Sequence, residues 1–131
     1  MKAKGLIWMG VPTDDFGGTV AFFRDVMGLE EESLEEDFAI LRIPGGEAVE
    51  VFGPSFRDQA QFATGPVVGF LVEDVAGTRK EMEAQGVEFV GPVHAGDAGA
   101  AWSHFRGPEG KVYEITQVPY GELRERDRRG A

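Results

Sequence analysis

The feature that most constrains this chain is that it repeats itself. The segment Ile40-Leu-Arg-Ile-Pro-Gly-Gly-Glu-Ala-Val-Glu50-Val aligns without gaps on His104-Phe-Arg-Gly-Pro-Glu-Gly-Lys-Val-Tyr-Glu114-Ile. Arg42/Arg106, Pro44/Pro108, Gly46/Gly110 and Glu50/Glu114 are identical pairs. Upstream, Gly10-Val-Pro-Thr-Asp-Asp-Phe-Gly-Gly-Thr19 matches Gly69-Phe-Leu-Val-Glu-Asp-Val-Ala-Gly-Thr78, with Gly10/Gly69, Asp15/Asp74, Gly18/Gly77 and Thr19/Thr78 coinciding. Two windows in the same order predict a duplicated module. A chain of 131 residues then suits one domain of two modules sharing a core, because units below about 40 residues rarely stand alone. Module one is placed at about 5–53, a linker at 54–65, module two at about 66–118 and a C-terminal tail at 119–131.

Each module has the same grammar. A short apolar strand (Gly5 to Val11; Val67 to Val72) runs into an acidic turn ending at Asp15 or Asp74, aspartates suited to cap a following helix. The spacing predicts a first helix over Gly17–Met27, with Val20, Phe23 and Met27 facing inward and Gly28 ending it. A second covers Ala76–Gln85, with Val75 and Met82 as its apolar contacts. Strands follow at Asp37–Pro44 and Glu47–Gly53, and at Val87–Val90, Ala101–Arg106 and Lys111–Gln117, with Pro44-Gly45-Gly46 and Gly107-Pro108-Glu109-Gly110 as hairpin turns. The predicted class is α+β, a β-α-β-β-β unit used twice. His94 falls in a Gly/Ala-rich stretch that reads as a loop, and the tail after Tyr120 has no core-facing pattern.

Composition narrows function. No cysteine is present, so there is no disulfide framework, thiolate metal site or cysteine nucleophile. A formal net charge of −10 argues against nucleic acid, whose phosphates need clustered Lys and Arg. Six acids between Glu30 and Asp37 read as a solubilising surface or as an attraction for cationic ligands. No apolar run approaches the roughly 20 residues of a membrane span, so a soluble, cytoplasmic protein is expected.

Strand alternation sorts the hairpins by face. With Ile40 across from Glu50, residues Ala39, Leu41, Ile43, Val49 and Val51 share an aliphatic face that should bury against the helix. Phe38, Ile40, Arg42, Ala48, Glu50 and Phe52 share the other. In module two the same register puts Phe105, Tyr113 and Ile115 on the helix side, and Trp102, His104, Val112, Glu114 and Thr116 opposite, with His104 across from Glu114. A mid-strand carboxylate is costly to bury unless paired or coordinated. Two readings stay open: Glu50 and Glu114 face a shared cavity, or each pairs with a neighbour, Arg42 and His104 respectively.

The segments Val20-Ala-Phe-Phe-Arg-Asp-Val-Met-Gly-Leu29, Val68-Gly-Phe-Leu-Val-Glu-Asp-Val75 and Phe105-Arg-Gly-Pro-Glu-Gly-Lys-Val-Tyr-Glu-Ile115 resemble the vicinal oxygen chelate superfamily: glyoxalase I, extradiol dioxygenases, and fosfomycin- and bleomycin-resistance proteins. The resemblance spans nearly the whole chain. It implies sheets curled around a cavity between the modules, and a homodimer. The family's metal site takes one ligand from the first and last strands of each module, here Trp8, Glu50, Val67 and Glu114. The two last-strand carboxylates are present, but Trp8 and Val67 stand where histidines are usual and cannot coordinate a cation. His104 offers a possible third ligand.

The expected ligand-binding set is therefore Trp8, Phe38, Arg42, Glu50, Phe52, Trp102, His104 and Glu114, aromatic walls with a few polar groups. The reading preferred from sequence is a protein that sequesters a small aromatic or cationic molecule with no cofactor, resembling bleomycin-resistance proteins. The alternatives are a lyase, isomerase or dioxygenase holding a divalent metal on Glu50 and Glu114, or metal-free acid/base catalysis by Glu114 and His104.

Overall fold

The computed structural model describes residues 2–118, and the tail expected at 119–131 lies outside them. The chain divides into two units, Leu6–Gly69, and the residues from Phe70 on together with those before Leu6. In module one, β1 (Gly5–Pro12) leads to α1 (Phe16–Ala21), then β2 (Glu30–Glu35), β3 (Phe38–Arg42) and β4 (Ala48–Phe52). In module two, β5 (Val67–Leu71) leads to α2 (Val75–Ala84), then β6 (Glu88–Ala95), β7 (Ala101–Arg106) and β8 (Val112–Gln117). The strand order is β2-β3-β4-β1 in the first and β5-β8-β7-β6 in the second, the same pattern twice. This is the predicted α+β architecture of two βαβββ modules.

The repeat is written in hydrogen bonds as well as letters. The Thr13 amide donates to the Phe52 carbonyl at 2.9 Å, and at the matching place the Val72 amide donates to Thr116 at 2.9 Å. The hairpin turns close alike: Gly46 N–H to Ile43 O at 2.8 Å, Gly110 N–H to Gly107 O at 2.9 Å. Both turn glycines have positive φ (101° and 91°), a region an L side chain resists. Asp15 caps α1 as expected, its carboxylate accepting from the Gly18 amide at 3.1 Å.

The faces sort as the alternation requires. Ala39, Leu41 and Val51 are buried with Val20 of α1, and Phe16, Phe23 and Leu29 pack on them. In module two, Val72, Val75, Met82 and Ile115 form the core, flanked by Phe89 and Phe105. Burial of each such aliphatic side chain is worth about 1.5–3 kcal/mol before entropy is charged against it. Ile43 departs from the expectation: it lies past the end of β3, in the turn, and is 40% exposed.

Three elements differ from the sequence reading. α1 ends early and widens into a single π turn, Phe22–Val26, closed by the Met27 amide on the Phe22 carbonyl at 3.0 Å. The extra residue shifts the helical phase, so Met27 is 57% exposed rather than inward. The acidic run forms strand β2, paired antiparallel with β3 across a bulge between Glu31 and Ser33. Charges on such a strand discourage edge-to-edge association. Finally, β6 runs through Gly91-Pro92 as a bulge and resumes at His94 opposite Trp102, so His94 is a strand residue and not a loop residue. Among the described residues no helix is long and apolar enough to cross a membrane.

Candidate functional site

In module one the site is the face of β1, β3 and β4 away from α1. The parallel β1–β4 register sets Trp8 beside Ala48, Gly10 beside Glu50 and Pro12 beside Phe52. β3 brings Ile40 across from Glu50 and Phe38 across from Phe52. The Trp8 indole folds along its own strand and lies over Gly10, where any Cβ would collide with it. Only glycine leaves that room. Trp8 meets Phe52 edge-on at 6.3 Å, and Phe52 touches Phe38 at 5.2 Å, both favourable aromatic geometries. The expected trio is thus assembled, with the Glu50 carboxylate on its face.

Two further rings complete that cluster. Phe56 and Phe62, on short 3-10 turns of the linker (Pro54–Phe56 and Ala60–Phe62), meet Phe52 at 5.1 and 4.8 Å. Sequence reasoning placed them in a connection and gave them no role, though two phenylalanines in a polar linker were the available signal. The linker is fastened by Asp37, in left-handed conformation (φ 67°), whose carboxylate accepts from the Ser55 amide at 2.7 Å. Those bonds from Ser55 hold the Asp37 carboxyl below the usual carboxylate range.

In module two the matching face carries a buried ion-pairing couple. His104 Nε2 lies 3.0 Å from Glu114 Oε1 across the β7–β8 register, and the residues are only 4% and 5% exposed. Burial pushes the Glu114 carboxyl upward, and the hydrogen bond and charge of His104 pull part of the way back. His94 stacks on Trp102 (5.7 Å between rings, 20° between planes) and meets His104 edge-on at 6.1 Å. Arg79, from α2, donates to the Gly91 carbonyl at 2.8 Å and to the buried Ser103 hydroxyl at 3.1 Å, tying the β6 bulge to the strand that carries His104. Arg79 was not singled out from sequence. A carboxylate that orients an imidazole can assist proton transfer.

Arg42 shares the face of Glu50 by register, but its guanidinium is engaged at the hairpin edge. It donates to Glu32 at 2.8 Å and to the Gly46 carbonyl at 3.0 Å. Its repeat partner Arg106 does the same, to Glu88 at 3.1 Å and the Gly110 carbonyl at 3.0 Å.

The residues at the four positions that the resemblance assigns to a metal do not fit one. Trp8 presents an indole and Val67 a fully buried isopropyl group, neither of which donates an electron pair to a cation. Glu114 already holds His104. Among the described residues no group of three or more His, Asp or Glu gathers as a metal ion would require.

The model of the glyoxalase/bleomycin resistance protein/dioxygenase superfamily matches residues 5–115. No curated protein matches the sequence. Among solved structures, the chain is similar to a superfamily member from Vibrio splendidus 12B01, at 18% identity and TM-score 0.65, covering 87% of this chain and 98% of that one. It is similar to methylmalonyl-CoA epimerase from Mycobacterium tuberculosis, at 20% identity and TM-score 0.67, covering 94% and 93%. A Streptomyces coelicolor methylmalonyl-CoA epimerase variant in complex with 2-nitronate-propionyl-CoA gives 21%, 0.67, 91% and 97%. At such identities the likeness is one of fold.

Proposed function

The chain belongs to the glyoxalase/bleomycin resistance protein/dioxygenase superfamily, and from that premise we propose that it binds a small aromatic or cationic organic molecule without using a metal. The observation that carries this reading is the Trp8 indole laid over Gly10, directly beside Glu50 in the register. An indole face attracts a desolvated cation by about 1–2 kcal/mol, and a nearby carboxylate adds charge complementarity. Phe38 and Phe52 supply the apolar wall. Module two carries its own aromatic and polar group, Trp102 stacked on His94 beside the buried His104–Glu114 couple. The excess of acids over bases favours a cation at long range. A homodimer belongs to the same proposal, and sedimentation of the purified protein tests it.

The test is calorimetric titration with 2-phenylethylammonium and with the neutral analogue 3-phenylpropionamide, alongside elemental analysis. The expected result is tighter binding of the cation, loss of that preference in Glu50→Gln with an unchanged melting temperature, and no stoichiometric metal. About one transition-metal ion per purified chain would overturn the metal-free part. The second reading is a metal-dependent isomerase, lyase or dioxygenase. It is favoured by the glutamates kept at matching positions in both modules, and methylmalonyl-CoA epimerases are among the structural neighbours. Stabilisation by added Ni²⁺, Co²⁺ or Mn²⁺ that disappears in both glutamate variants would support it, since a ligand of the folded state raises stability in proportion to its occupancy.

A further inference from the structure

At the end of β1 and β4 lies a cavity of about 360 Å³, lined by Pro12, Thr13, Asp14, Gly53, Arg57 and Phe62. All six belong to the Leu6–Gly69 unit. That volume suits a small organic molecule. Phe62 is also part of the aromatic cluster, 4.8 Å from Phe52, so the cavity and the cluster share a wall. From Glu50 to the Phe52 end of β4 is two residues, about 7 Å along the strand.

Among the described residues that line the cavity the cation is Arg57, and it is engaged by the chain itself. Its Nη2 is paired with the Asp14 carboxylate, 43 positions away in sequence. Both side chains are well exposed, 60% and 78%. Exposed pairs of this kind contribute about 0–1 kcal/mol. Asp14 thus sets a carboxylate against Arg57, in a pair that breaks at little cost. A guanidinium offers two parallel N–H groups to a carboxylate, which a neutral amide cannot use equally. Pro12 and Phe62 present apolar surface beside it.

We infer that this cavity is a carboxylate-reading subsite: Arg57 takes the acid group of a small aromatic carboxylate whose ring lies toward Phe62 and Phe52, and Asp14 is the internal competitor for that place. A donor or ammonium group elsewhere on such a molecule meets Glu50. The inference rests on the aromatic-ligand reading, to which it adds the acid group.

The two partners of the ion pair are expected to respond with opposite sign, which a merely structural salt bridge would not do. Titrations with 3-phenylpropionate, 3-phenylpropionamide and 2-phenylethylammonium use one ring with three charges. The wild-type chain should prefer the carboxylate to the amide. Arg57→Gln should weaken the carboxylate about tenfold and leave the amide unchanged, as loss of a charge-assisted hydrogen bond predicts. Asp14→Asn should tighten the carboxylate about threefold, by removing the competitor. Melting temperatures close to wild type establish that both variants are folded. If Arg57→Gln and Asp14→Asn shift carboxylate binding the same way, or carboxylate and amide bind alike throughout, the subsite is wrong while the aromatic reading stands on the cation and amide data. If none of the three probes binds, both fall together.

Discussion

The two modules use the same backbone devices and surround the same glutamate with different neighbours. Thr13/Val72 and Gly46/Gly110 make matching backbone bonds, and Arg42/Arg106 make matching side-chain bonds to the turn carbonyl. At the centre of the last strand they part. Glu50 faces Ile40 and the Trp8-lined side of β1 and remains partly accessible. Glu114 faces His104 and is buried. A duplicated fold needs its turns and register in both copies, whereas the residue opposite the glutamate is free to change. The difference is one of surroundings: Glu50 lies on a half-buried aromatic face, whereas Glu114 is buried against His104.

The largest effect expected from breaking that asymmetry comes from His104→Ala. It leaves a buried carboxylate without its partner and should cost about 3 kcal/mol in urea denaturation at neutral pH. Glu50→Gln should cost well under ~1 kcal/mol, as for most changes outside a core. The pH dependence has a definite sign. The folded state raises Glu114 above its ordinary 4.5, so folding favours the protonated form. The stability this contributes is fully present below that ordinary value and is lost as pH rises through the folded one. Glu114→Gln should flatten the stability profile across that window. The His104→Ala deficit should also shrink on acidification, because the protonated carboxyl needs no counter-charge. A deficit that grows on acidification would mean that His104 does not serve Glu114.

Next in size is Gly10→Ala. The new methyl group meets the Trp8 ring, and displacing a packed indole should cost about 1–3 kcal/mol. Adding Trp8→Ala should recover part of that loss, so the double mutant is less destabilised than the sum of the singles. The corresponding strand of module two has Val67 at the position of Trp8, so this coupling is peculiar to module one. Strict additivity of the two changes would show that the indole does not lie over Gly10 in solution.

What sequence revealed follows the physics of each signal. The repeat, the Asp15 cap and the hairpin faces were legible because alternation, glycine turns and N-cap aspartates are local. Asp74 stands at the start of α2 but its side chain makes no cap bond, and the Val75 amide donates to Gln117 Oε1 at 2.7 Å instead. Strand β2 was hidden because Glu30–Glu35 lacks the apolar side chains that usually betray a strand; it is held by backbone pairing to β3 instead. The π turn left no trace in composition, and Met27 keeps a helical spacing to Phe23 that the bulge undoes. His94 was misplaced because Gly91-Pro92 punctuates like a loop but forms a bulge inside one strand. At the site, Trp8, Phe38, Phe52 and the His104–Glu114 couple follow from register. Phe56, Phe62, Arg57 and Arg79 do not, because they arrive from a linker or a helix through tertiary folding.

The smallest expected effect is the most direct check on the claim that the hairpin arginines serve structure. Arg42→Ala and Arg106→Ala both remove a bond to a turn carbonyl and the ion pairing to a glutamate on the neighbouring strand. The ion pairs sit at 31% and 45% exposure in module one and 37% and 69% in module two, where water and salt screen them. Each change should therefore cost no more than about 1 kcal/mol, and the two costs should be nearly equal. Titration of 2-phenylethylammonium against Arg42→Ala should match wild type, since the guanidinium is turned to the hairpin and Glu32. If that variant instead loses binding while keeping its melting temperature, Arg42 is a ligand contact, as the sequence pattern expected, and the equivalence of the two arginines ends at their backbone bonds.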